Sequence, residues 1–389
     1  MTPHRLRLVL TLALAIGLGP LPALAHDASA WGGLFRTRDG GASWLHVNPG
    51  SFVSGALALA ISPTDPHHLL LATDTGVARS RNAGRDWIVE APEVLGGGPA
   101  FAAAFDVDGQ RALVAGASAV FRSDGDRWQR VRTPSGSMPA RALVSGGVRG
   151  RVYLAGWRKL YRTDDWGQTW IDIGSALEAE HASAVMIRRD RPDTVYAVAG
   201  GRLWASPDAG RRWERRSEGL PRGGMEALAL DPADVSRLWA VVADQVVRSD
   251  DQGQHWRPVG EPLPERPVVA RALAIGDHAI LMATDRGVFR GTTEGTRWAP
   301  VTDALPAHLD AGVLAHDPVE PATIYAGFAL TPHEQLARRS ADSGSMLSRF
   351  LPDPWAGGLG VLALAVLAVV TGARLRKRAD RRASRSVQP

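Results

Sequence analysis

Seven tryptophans fall at positions 44, 87, 128, 170, 213, 256 and 298, at spacings of 43, 41, 42, 43, 43 and 42 residues. A fixed period of this size means one supersecondary unit copied along the chain, each copy burying its apolar face against the next. Five of the tryptophans close the same frame, Ser/Thr-x-Asp-x-Gly-x-x-Trp. Its copies are Thr37, Asp39, Gly41 and Trp44; Thr163, Asp165, Gly167 and Trp170; Ser206, Asp208, Gly210 and Trp213; Ser249, Asp251, Gly253 and Trp256. A fifth copy, Ser80, Asn82, Gly84 and Trp87, has an amide in the acid's place. Two further copies have decayed: "SDGDRW" is two residues short, and "GTTEGTRW" has Thr293 where the acid belongs.

Residues 56–90 show what one unit is. "ALALAIS", "LLLAT", "VARS" and "WIVEA" are short apolar runs separated by "PTDPHH", "DTG" and the box. Runs of this length between Pro, Asp and Gly signals are strands of a meander. Four-stranded units of about 40–45 residues arranged radially make a β-propeller. The chain enters in mid-blade with "GGLFRTRDGGASWLHV" and leaves with "AGVLAHDPVEPATIYAGF", a first and second strand lacking partners. These halves are expected to complete one blade, making seven. The box falls in the hairpin between third and fourth strands. There Gly takes a positive φ, the Asp and Ser/Thr side chains bind nearby backbone N–H groups, and Trp is an apolar plate between blades. Its role is structural rather than catalytic.

Both ends differ from this body. "MTPHRLRLVLTLALAIGLGPLPALA" has a basic start, an apolar run and the pattern Ala23-x-Ala25, so residues 1–25 are expected to be a cleaved signal peptide. The propeller is expected over 26–328 and a juxtamembrane linker over 329–353. The uncharged stretch 354–373 has the length of one transmembrane helix. Residues 374–389 carry seven basic side chains against one acid, which predicts a cytoplasmic tail. The propeller would then lie on the periplasmic side of the cytoplasmic membrane, anchored by a single pass. "LPDPW" begins like a sortase signal but lacks its Thr and Gly.

The charge argues against nucleic acid as a partner. The chain's +5 at pH 7 falls to about −3 for the exported body once the tail and the leader's Arg5 and Arg7 are set aside. With no cysteine, thiolate metal sites and cysteine nucleophiles are excluded. His67 and His68 are adjacent and point oppositely on an extended chain. No metal and no cofactor is expected.

The box resembles the Asp-box, or BNR, repeat of sialidases, sortilin-type receptors, xyloglucanases and photosystem II assembly-factor-like propellers. "DPVEPATIYAG" (317–327) is similar to the turn of the last two branches. A sialidase resemblance would imply a tyrosine nucleophile and an arginine cluster. Yet Tyr153, Tyr196 and Tyr325 share one second-strand slot with Trp239, which is a packing position, and Tyr161 lies on a third strand. A xyloglucanase resemblance would imply two propellers clasping a glucan, whereas this chain has one. The assembly-factor-like resemblance implies a single exported propeller without a catalytic centre that holds membrane-protein subunits; the C-terminal membrane segment departs from that group.

Varied loops on a rigid scaffold usually carry function. Here they lie opposite the box rim: "NPGSFVSG", "APEVLGGGPA", "TPSGSMPAR", "GSALEAEHAS", "SEGLPRGGME" and "GEPLPERPVVAR". Arg141, Glu226 and Arg271 precede or begin the innermost strands. Trp157, Arg158, Lys159, Arg202 and Arg286 follow the second strands. Together they predict a partly basic rim for a carboxylate-bearing protein segment. The expected function is a non-enzymatic docking or assembly platform for subunits of a membrane complex. The alternative is a carbohydrate-active propeller, either hydrolase or glycan-binding.

Overall fold

The computed structural model describes residues 32–350, except 49–54, 178–181, 264–267, 277, 294–296, 303 and 307; for 343–350 only the backbone is described. The leader (1–25), the apolar stretch 354–373 and the basic tail lie outside the described residues. No helix among the described residues is long and apolar enough to cross a membrane.

Seven four-stranded antiparallel sheets form the ring of a seven-bladed propeller. Six blades are continuous, with first strands Ala56–Ile61, Ala100–Phe105, Ala142–Ser145, Ala182–Ile187, Met225–Leu230 and Ala270–Ile275. We number these blades 1 to 6. The seventh is composite, as the sequence predicts. Asp310–His316 and Ile324–Ala329 supply its inner strands, and Gly33–Thr37 and Leu45–His46 its outer ones. Gly33–Thr37 zips onto Ile324–Ala329 with Leu34 opposite Gly327 and Phe35 opposite Ala326.

The second strands are buried but for Gly116 at the end of Ala112–Gly116. Leu69–Thr73, Val195–Ala199, Leu238–Val242 and Ile324–Ala329 have no residue open to solvent, because neighbouring blades cover both faces. That is why they read as unbroken apolar runs rather than alternating ones. Tyr153, Tyr196, Trp239 and Tyr325 fill one slot there and are all fully buried, confirming them as packing residues.

The five boxes share one bonding pattern. The Thr or Ser hydroxyl donates to the Asp or Asn side chain and accepts the glycine N–H, as with Thr163 to Asp165 (2.8 Å) and Gly167 to Thr163 (2.8 Å). The Asp or Asn side-chain oxygen then accepts the N–H two residues beyond the glycine, such as Thr169 (2.8 Å). This needs two successive left-handed residues. The glycine is the second; the first is Gly40, Ala83, Trp166, Ala209 or Gln252. The N–H groups of Ala83, Trp166, Ala209 and Gln252 bond to the turns between first and second strands, placing box and turn on one rim.

Arginines carry these loops from blade to blade. Arg36, Arg162, Arg216 and Arg290 donate to the carbonyls of Ala83, Ala209, Gln252 and Gly40, each the first left-handed residue of the next box. Blade 2, with its shortened box, uses another device. Arg79 of blade 1 forks onto Glu90, whose carboxylate also accepts the Trp128 indole N–H at 2.5 Å.

Within the stretch expected to be a linker, Ala329 ends a strand and His333–Phe350 is a helix. Pro332 sets the first turn, and the Gln335 and Leu336 N–H groups bond back to its carbonyl.

Candidate functional site

The candidate residues gather where the innermost strands begin, on the rim away from the boxes. Their common origin is a β-bulge. In all continuous blades but the third, and in the composite blade, the pairing of first and second strands slips by one residue near the start of the first strand. The extra residue is Leu57, Phe101, Ser183, Glu226, Arg271 or Gly312. In blade 3 Arg141 takes the equivalent place, its N–H reaching the Ala155 carbonyl that lies beside Ala142. A bulge re-aims the side chain it frees. The result is one such residue per blade around the non-box mouth, with a side chain in every blade but the composite one, where it is Gly312.

Two of these residues tie blades together. Glu226 accepts the Ala270 N–H at 2.8 Å across the blade 5–6 seam. Arg271 donates through Nε and Nη2 to Asp310 of the composite blade, at 3.2 and 3.0 Å. Burial raises the Glu226 carboxyl above its ordinary pKa, against the Ala270 N–H and the Arg271 charge. Burial likewise raises Asp310, against Arg271.

Arg141 does something else. Its guanidinium lies over the Trp157 ring, 4.6 Å from the centroid, and forks onto Glu334 at 2.5 and 3.3 Å. The pocket is built by two loops pinned together: the N–H groups of Trp157 and Arg158 bond to the Ser137 and Gly136 carbonyls. Beside it, the His333 ring meets Phe101 edge-on at 5.2 Å, and its Nε2 lies 3.1 Å from the Phe101 carbonyl. Lys159 is exposed and holds Asp172 at 2.7 Å. Arg158 and Arg286 are exposed in turns after second strands, and Arg202 is exposed at the start of the strand Arg202–Ser206.

The structure therefore divides the sequence candidates. Arg141 and Trp157 form a pocket, Glu226 and Arg271 are seam residues, and Arg158, Lys159, Arg202 and Arg286 are open rim. Sequence reasoning missed Phe101, Asp310, His333 and Glu334. The acids among them make the rim mixed in charge.

The opposite mouth mixes apolar and charged side chains. First-strand ends line an open cavity of about 520 Å³ beside Ile61, Phe105, Met186 and Arg189, and a second of about 380 Å³ lies beside Leu273, Leu314, Arg188, Asp231 and His316. His316 is a staple between blades: Nε2 accepts the Ile275 N–H at 3.1 Å, and Nδ1 lies 3.0 Å from the Pro321 carbonyl. Among the described residues no three metal-ligating side chains come together.

The fold defines the chain as a seven-bladed β-propeller, and solved structures share it. YCF48 from Cyanidioschyzon merolae is similar with a TM-score of 0.54 at 12% identity, over 71% of this chain and 95% of that one. YCF48 bound to D1 peptide is similar with a TM-score of 0.53 at 18% identity, over 72% and 95%. The GH74 xyloglucanase from Xanthomonas campestris gives 0.55 at 21% identity, over 74% of this chain and 53% of that one. At these identities the likeness is one of fold. No family model matches the chain, and no curated protein matches it in sequence.

Proposed function

We propose that the chain is a non-enzymatic docking platform that holds subunits of a membrane protein complex during assembly, with the propeller outside the cytoplasmic membrane. The observation that carries this reading is the Arg141–Trp157 pocket, a guanidinium backed by an indole and set on a rigid ring, which suits a protein carboxylate. The exposed Arg158, Arg202 and Arg286 would extend it. The likeness to YCF48 bound to D1 peptide supports the same reading, since that propeller takes a peptide.

The test is crosslinking of the full chain in its native cell, followed by mass spectrometry of captured proteins. The expected result is one reproducible set of membrane-complex subunits, lost when Arg141, Arg158, Arg202 and Arg286 are changed together to Glu. Arg271 is left intact because its pair with Asp310 joins two blades. Capture that ignores these four changes would sink the platform.

A carbohydrate-active propeller is the second reading. It is favoured by Glu226 and Asp310, two carboxyls raised by burial on the same rim. Glycan cleavage by the unaltered chain that is lost in both Glu226→Gln and Asp310→Asn, with circular dichroism showing each variant still folded, would establish it.

A further inference from the structure

The Arg141–Trp157 pocket already holds a carboxylate, and it belongs to the same chain, 193 residues away. The chain leaves the composite blade at Ala329. Pro332 opens a helical turn, His333 stands against Phe101 and Glu334 enters the fork of Arg141. Both receiving residues belong to the ring of re-aimed side chains around the non-box mouth.

We propose that the Pro332–Glu334 turn is a built-in ligand of this rim, displaced when a carboxylate-bearing segment of a partner protein docks. The occupancy stands on the geometry alone; the identity of the displacing partner rests on the docking reading above.

Two arginine–carboxylate pairs on the ring show why one is exchangeable. The Asp310 side chain that Arg271 holds is 6% exposed and joins two blades, so its release would open a seam. The Glu334 side chain is 31% exposed and comes from a helical turn outside the blade ladders. The arginines do not make the difference, since Arg141 is 14% exposed and Arg271 30%; it lies in how each carboxylate is anchored. The self-contact also leaves the fork incompletely used: Arg141 Nε is out of water and has no hydrogen-bond partner among the described residues. The connection from Ala329 to Glu334 is only a few residues long. Glu334 therefore competes at the high effective concentration of a short tether, and even a weak self-contact lowers the apparent affinity of a rival.

The test uses a peptide of residues 330–339, LTPHEQLARR, carrying a carboxylate-free fluorophore on its N-terminal amine and amidated at its C-terminus, so that its one glutamate is its only carboxylate. Its binding is measured by anisotropy to the full chain, to Glu334→Gln, and to Glu334→Gln combined with Arg141→Ala or Arg141→Lys. Glu334→Gln should bind it about five- to tenfold more tightly than the unaltered chain. Adding Arg141→Ala should abolish that gain, and Arg141→Lys should remove most of it, because lysine lacks the paired fork. Circular-dichroism melts identify any variant that fails to fold, and the lysine variant then serves alone. Equal binding by the unaltered chain and Glu334→Gln, no binding by Glu334→Gln, or binding that survives loss of Arg141 would each overturn the proposal. The crosslinking test fails separately. Peptide binding as expected without captured subunits removes the platform and keeps the built-in ligand; rim-dependent capture with a failed peptide assay does the reverse.

Discussion

Arg79 and Glu90 face each other through two hydrogen bonds, Nε to Oε2 at 2.6 Å and Nη2 to Oε1 at 2.8 Å, with side chains only 5% and 11% exposed. The pair sits beside blade 2, whose box is shortened. It replaces the arginine-to-box contact seen at other seams, and it also holds His68, 2.6 Å from Arg79 Nη1, and the Trp128 indole. Removing the carboxylate charge leaves a guanidinium buried without compensation. Glu90→Gln should therefore cost about 3 kcal/mol or more, and Trp128→Phe about 1 kcal/mol, read from urea unfolding midpoints. A Glu90→Gln loss below about 1 kcal/mol would count against the pair as the seam's anchor.

The same cluster contributes to the acid stability. Burial, then the Arg79 and Arg81 charges, lower His68 from 6.5 to about 4. The unfolded chain therefore takes up a proton across that window which the folded chain refuses, and stability falls as pH drops from 6.5 towards 4. Burial pushes Glu90 up, but bonds from Arg79 and Trp128 outweigh it and hold the carboxyl below its ordinary value. Its contribution is present above the ordinary carboxylate range and lost as pH falls through the depressed value. Unfolding midpoints measured in steps from neutral pH should decline across the histidine window, and His68→Gln should flatten that part of the curve. A wild-type midpoint constant through the window would refute the assignment.

The box glycines are held both by backbone shape and by their neighbours. Gly210 has φ 88°, and a Cβ there would stand 2.5 Å from Ile173 Cδ1 and 3.1 Å from its Cβ on the preceding blade. Gly210→Ala should lower stability by about 1–3 kcal/mol. Calorimetry comparing it with Gly97→Ala, where a Cβ meets nothing within 4 Å, separates the seam from a general glycine effect.

Closure of the ring rests on Phe35, which is 1% exposed and meets Phe328 edge-on at 5.4 Å. These rings come from the two ends of the propeller. Phe35→Ala should cost about 3–5 kcal/mol and should hasten proteolysis of Gly33–Thr37 and Ile324–Ala329 together. Cleavage confined to one of the two would argue against closure as a single step.

All four tyrosines are raised above 10, in each case mainly by burial, and Tyr153 reaches about 12. Ultraviolet titration of the folded protein should show no phenolate through pH 10. An early-ionising tyrosine would reopen a sialidase-like nucleophile.

The blade count and box positions were legible because the tryptophan period and the Ser/Thr-x-Asp-x-Gly frame are local patterns, each set within one hairpin. The bulge ring was not. A bulge is a property of two strands in register, so Arg271 and Arg158 look alike in sequence although one is a seam residue and the other open rim. The partner of Arg141 was hidden for a similar reason. Glu334 lies in a stretch whose polar composition suggested a linker, and no local pattern tells that its carboxylate returns to the ring. The Arg79–Glu90–Trp128 cluster was equally invisible, since the shortened box marks a missing contact without showing what replaced it.

The composite blade also imposes an order in time. Gly33–Thr37 is the earliest described strand to leave the ribosome, and its ladder partner, Ile324–Ala329, is the last. Until the late strand arrives, the early one has an unpaired inner edge, and six blades can stack only as an open arc. Completion of the ring therefore reports that the propeller has been synthesised to Ala329, and a chain stopped short of that point exposes a strand edge of the kind that recruits other chains.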